Sequence, residues 1–97
     1  MLYELCYMNY APVLISVYDR VEHFNRCLNS LKQCKGANKT RLFIAIDYPK
    51  KEEILEKYHQ IIEIAKSTKG FKEITLFIRD TNLGSKENIY SAINEIY

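Results

Sequence analysis

Apolar positions along the chain switch repeatedly between two periods. Three short runs, Val13 to Tyr18, Leu42 to Ile46 and Ile74 to Ile78, are almost continuously apolar and rich in β-branched and aromatic residues. A run of that length, apolar on both faces, suits a parallel strand covered on both sides. After each run the apolar residues spread to a helical spacing. Phe24, Cys27, Leu28 and Leu31 make the first stripe; Ile54, Tyr58, Ile61, Ile62 and Ala65 the second; Ile89, Ala92, Ile93 and Ile96 the third. The pattern predicts an α/β fold of three βα units, with a parallel three-stranded sheet flanked by helices. Residues 1–11 carry no clear period and are read as a lead segment.

The joints between these segments carry helix signals of their own. Asp19 followed by Glu22 resembles a capping arrangement, Pro49 is placed to open the second helix, and Ser85 to cap the third. Gly70 follows a Lys-rich stretch and is placed to close the second helix, where cations suit the dipole. Right-handed crossovers between parallel strands then put helices on both faces of the sheet.

Composition narrows the function. The 97 residues allow one domain, and 47% hydrophobic with 27% charged residues describe a soluble globular chain. Fourteen Lys and Arg against twelve Asp and Glu give a net charge of +2, without a run of five or six like charges, so no nucleic-acid or membrane-surface signal arises. No apolar stretch approaches the roughly 20 residues needed to span a bilayer, and the opening Met-Leu-Tyr-Glu lacks a basic region ahead of an apolar one. A cytoplasmic location is expected. Cys27 and Cys34 lie two helical turns apart and read as small buried apolar residues, while Cys6 supports no reading.

In a parallel α/β layer, ligands bind outside the carboxyl ends of the strands. Here those ends run into Tyr18-Asp19-Arg20, Asp47-Tyr48-Pro49, and Arg79-Asp80-Thr81-Asn82-Leu83-Gly84. Carboxylates, guanidinium groups and helix starts gathered there suit a ligand with a phosphate and a hydrogen-bonding ring. The competing reading is that such residues cap helices and turns, and for Asp19 and Ser85 alone it comes first. Asp47, directly after five apolar strand residues, is read as a ligand contact ahead of a turn cap. The chain has neither GxGxxG nor GxxxxGK followed by Ser or Thr, which sets aside dinucleotide-binding and P-loop folds. A receiver-type phospho-acceptor site is weakly matched, because the first strand ends with Asp19 beside Arg20 and no acidic cluster. His23 and His59 fall on helical segments and read as surface or packing residues.

The stretch PVLISVYDRVEHFNRCLNSL at 12–31 resembles the opening of nucleotide-diphospho-sugar glycosyltransferases of the GT-A fold, family 2-like. The second strand ending in Asp47, and Arg79 to Gly84 leading into the third helix, resemble that family too, and the likeness spans residues 12–97. It implies a Rossmann-like nucleotide-binding half, with Tyr18, Asp19 and Arg20 near the base and Asp47 hydrogen-bonded to it. Asn82, Gly84, Lys86 and Asn88 would line the nucleotide-sugar pocket. The implied partner is a UDP- or GDP-type nucleoside diphosphate sugar, whose sugar the full enzyme transfers to an acceptor hydroxyl. A non-catalytic α/β interaction module is the alternative.

Val21 stands where the family has proline, and Tyr48 where it often has glycine. The family's Asp-x-Asp metal motif is missing, as is its acceptor-binding half; the close acidic pair Glu52-Glu53 lies in a helical pattern and points two ways. No catalytic or metal-ligating residue is therefore expected in this chain, and Mn or Mg only in a full-length enzyme. The third stripe runs to the end at Tyr97, so residues 12–97 are expected to be a truncated nucleotide-sugar-binding domain, inactive alone. An open edge on the first strand or an uncovered third helix is then expected to self-associate.

Overall fold

The strands form where the continuous apolar runs predict them. A computed structural model describes residues 11–96; the lead segment through residue 10, with Cys6, and Tyr97 lie outside the described residues. In chain order the strands are β1 (Val13–Val17), β2 (Arg41–Ile46) and β3 (Glu73–Ile78), and the helices are α1 (Val21–Lys32), α2 (Leu55–Ser67) and α3 (Ser85–Ile96). All pairing is parallel, in the order β1-β2-β3, with Ile15 opposite Ile44 and Ile44 opposite Leu76. The chain is thus an α/β fold of three βα units.

Being central, β2 is buried from Leu42 through Ile46. Its Leu42, Ile44 and Ile46 join Ile15 and Val17 in one core cluster with Phe24, Leu28 and Leu31 of α1 and Tyr58, Ile61 and Ala65 of α2. Each fully buried Leu, Ile or Phe contributes about 1.5–3 kcal/mol, so this face holds most of the fold's apolar stabilisation. The alternate residues Phe43 and Ala45 face the other way, where α3 lies against β1 and β2. Phe43 stacks on Phe77 there, ring centroids 6.1 Å apart, with the Arg41 and Arg79 guanidiniums over the two rings.

Several local expectations change. No side chain caps α1: its N-cap is Arg20, whose carbonyl accepts the Phe24 N–H, so Asp19 sits one residue too early. Pro49 does not open a helix, because a loop and a 3-10 turn at Glu52–Ile54 precede α2. Thr68, not Gly70, ends α2, its hydroxyl donating to the Ile64 carbonyl at 2.7 Å. Ser85 is the first residue of α3 and Gly84 supplies the carbonyl that accepts the Asn88 N–H, so Ser85 is not the cap. The buried face of α3 is also rotated from the predicted stripe: Asn88 and Ala92 are buried, whereas Ile93 is 39% exposed. Buried Cys27 and Cys34 fit the packing role expected of them.

Candidate functional site

Three loops meet at the carboxyl ends of the strands, and side chains tie them together. The Lys50 backbone N–H donates to the Tyr18 hydroxyl at 2.8 Å, joining the loops after β1 and β2. Between the loops after β2 and β3 the tie is Asp47, 3% exposed. Its Oδ1 accepts the N–H groups of Tyr48 and Leu83, both at 2.9 Å; its Oδ2 accepts the Gly84 N–H at 3.0 Å and the Asn82 side-chain amide at 3.4 Å. Those four bonds occupy the roughly four lone-pair sites of a carboxylate. Because the acceptor is charged and lies just ahead of α3, it also suits that helix's dipole.

Asn82 adds a second strap, donating to the Tyr48 carbonyl at 2.7 Å. Gly84 makes this approach possible with φ +84, a left-handed conformation that side chains other than glycine adopt at a cost. Asn88, also buried, donates to the Ala45 carbonyl at 3.1 Å and accepts from Arg79 Nε at 2.8 Å, so the amide fixes α3 to the centre of the sheet. Arg79 further reaches the Asn88 carbonyl and Glu95. Tyr58 donates its hydroxyl to the Arg79 carbonyl at 2.7 Å; burial, with Tyr48 and Asp80 nearby, raises its pKa above the ordinary 10.0.

A cavity of about 560 Å³ opens beside these straps, a volume in the range that suits small-molecule ligands. It runs along the edge of β1, which has β2 as its only partner among the described residues, and between α1 and the start of α3. Its apolar wall is Ile15, Val17, Phe24 and Cys27; its polar mouth includes Asp19, Arg20, His23 and Lys50. Seven of the eight residues singled out from the sequence line it: Tyr18, Asp19, Arg20, Asp47, Asn82, Gly84 and Asn88. The eighth, Lys86, is exposed on α3, its ammonium 5.7 Å from the Tyr90 ring centroid, and is not part of the lining.

Among the lining residues the polar side chains divide by employment. Tyr18, Asp47, Asn82 and Asn88 are engaged in the straps. Asp19, Arg20, His23 and Lys50 have no side-chain hydrogen bond or ion pair among the described residues. From the sequence His23 reads as a surface or packing residue, and Lys50 is not singled out. Arg20 at the helix start and His23 three residues on share one side of α1, and Lys50 follows Asp47 by three residues; those spacings were the available signal. Arg20 and His23 also border a hollow of about 720 Å³ between α1 and α2, with Glu22, Arg26 and Lys57.

The carboxylates of the cavity do not fit a divalent metal. A hard ion such as Mg²⁺ or Mn²⁺ wants several oxygen ligands, and Asp47 is already saturated, leaving Asp19 alone. No group of three His, Cys, Asp or Glu side chains among the described residues is placed to hold an ion. Nor is any helix there long and apolar enough to cross a membrane. Protein-family models, curated proteins and solved structures contain no match to the chain.

Proposed function

We propose that the chain is the nucleotide-binding portion of a glycosyltransferase, holding a UDP- or GDP-type nucleoside diphosphate sugar whose sugar passes to an acceptor hydroxyl. The observation that carries this reading is the convergence of Tyr18, Asp19, Arg20, Asn82 and Gly84, drawn from separate loops, on one cavity at the strand ends. An apolar wall beside unengaged cations and one unengaged carboxylate matches a ligand with a planar base, hydroxyls and a diphosphate. Asp47 supports the pocket by fixing its loops, and the hydrogen bond to a base falls to Asp19. In this reading residues 11–96 supply the nucleotide-binding part, and transfer belongs to the full-length enzyme.

Titration with UDP and GDP, with and without Mn²⁺, tests this through amide shifts of Asp19, Arg20, Asn82 and Gly84. Shifts concentrated at those residues support the reading, and their absence with every nucleotide removes it. A second reading, a non-catalytic interaction module, is favoured by one observation: Asp47, Asn82 and Asn88 all spend their side chains on bracing. Under that reading the loops stay ordered and no nucleotide shifts them.

A further inference from the structure

The mouth of the cavity offers two kinds of place for an anion, and one is already taken. The backbone N–H groups of Leu83 and Gly84, ahead of α3, point at the Asp47 carboxylate, at 2.9 and 3.0 Å. A phosphate there would have to displace a buried carboxylate and would meet its repulsion. On the α1 side, Arg20, His23 and Lys50 line the same cavity without an ion pair among the described residues. The carboxylates lining the cavity are Asp19 and the saturated Asp47, and Glu22 borders only the neighbouring hollow, so the unspent charge at this mouth is positive.

We propose that a diphosphate is bound by the side chains of Arg20, His23 and Lys50 directly, without a bridging divalent ion, and away from the start of α3. This rests on the nucleotide reading above and narrows it. Two features of the donor set point this way. Arg presents a planar fork that matches phosphate oxygens and Lys adds a compact charge, whereas a bridging cation would find one unengaged carboxylate, Asp19, among the lining residues.

The test uses the whole chain and inorganic pyrophosphate, which carries the anion without base or sugar, in EDTA. Expected are amide shifts from Arg20 to Phe24 and at Lys50, and a Kd weakened about tenfold or more in the Arg20→Ala/Lys50→Ala double variant. A control pair, Lys66→Ala/Lys69→Ala, removes the same charge at the end of α2 and should leave the Kd within about twofold. The proposal is overturned if both pairs weaken binding equally, if the shifts centre on Leu83 to Lys86, or if pyrophosphate binds only with Mn²⁺. UDP separates this outcome from that of the nucleotide reading. If UDP binds only with Mn²⁺ and pyrophosphate does not bind in EDTA, the nucleotide reading survives and the direct cation site falls. If pyrophosphate binds in EDTA and UDP binds no tighter, the anion site stands and the nucleotide reading falls. No binding of either, with or without Mn²⁺, overturns both.

Discussion

Replacing Asp47 by alanine should remove a large share of the protein's stability. The carboxylate is 3% exposed and accepts three backbone N–H groups and one side-chain amide, from Tyr48, Leu83, Gly84 and Asn82. Alanine leaves all four donors without that acceptor. An orphaned donor costs about 1–3 kcal/mol when it stays buried and less when water reaches it. The loops lie at the surface end of the sheet, so part of the loss is recovered by hydration. Taking about 1 kcal/mol for each gives a loss of about 4 kcal/mol. A domain of this size has a total stability of about 5–15 kcal/mol, so at the low end of that range the variant is left with a margin of only about 1 kcal/mol.

Asparagine at this position keeps one carbonyl oxygen and turns the other acceptor into a donor, which opposes the Gly84 N–H or the Tyr48 and Leu83 pair. Its cost should be about 2 kcal/mol, which corresponds to a fall in Tm of about 8–16 °C for a domain of this length. Urea and thermal unfolding followed by circular dichroism measure both variants, and amide exchange at Leu83 and Gly84 reports the local effect of the asparagine variant. An Asp47→Ala protein within about 1 kcal/mol of the parent would refute the assignment of Asp47 as the tie between the loops.

Asn88→Ala should lose about 2–3 kcal/mol in urea unfolding, because it strips a buried donor from the Ala45 carbonyl and a partner from Arg79; a change below about 0.5 kcal/mol would contradict it. Gly84→Ala should cost about 1–2 kcal/mol from backbone conformation alone, since an added Cβ meets nothing within 4 Å. A Gly84→Asn variant should recover part of that loss, and equal losses would point to crowding instead. Tyr58, whose pKa is raised by burial, contributes stability that is fully present below the unfolded value of 10.0 and lost as pH rises through the folded value. Urea midpoints from neutral pH upward should therefore fall above pH 10, and Tyr58→Phe should flatten that part of the curve.

The parts of the fold that were legible are those where residue type alone decides. The three strands were legible from their continuous apolar runs, and Phe24, Cys27, Leu28 and Leu31 left α1 one face to bury. Reading failed where a polar group is paid back by a distant partner. Asn88 displaced Ile93 from the buried face of α3 because its amide meets the Ala45 carbonyl 43 positions earlier, and no periodicity contains that pairing. The caps failed by single residues: Asp19 precedes the true N-cap by one, and Ser85 follows Gly84 by one. The strand ends were legible as a place, but not which of their residues would be left unengaged.

That last distinction changes how the site is to be understood. A polar side chain at a strand mouth can serve a ligand or the loop that presents it, and composition treats the two alike. Here the most buried carboxylate is the most committed to the loops, while the half-buried Asp19 and the exposed Arg20, His23 and Lys50 retain their bonding capacity. Its position directly after the apolar strand suggested a ligand contact for Asp47, whereas its burial and bonding mark it as the residue whose loss should disturb the site by loosening it. The two classes therefore predict different phenotypes: changes at Asp47, Asn82 or Asn88 should appear first in stability and loop exchange, and changes at Arg20 or Lys50 in anion affinity with stability unchanged. A variant of Arg20 that unfolded the chain, or one of Asn88 that weakened binding at full stability, would break the division.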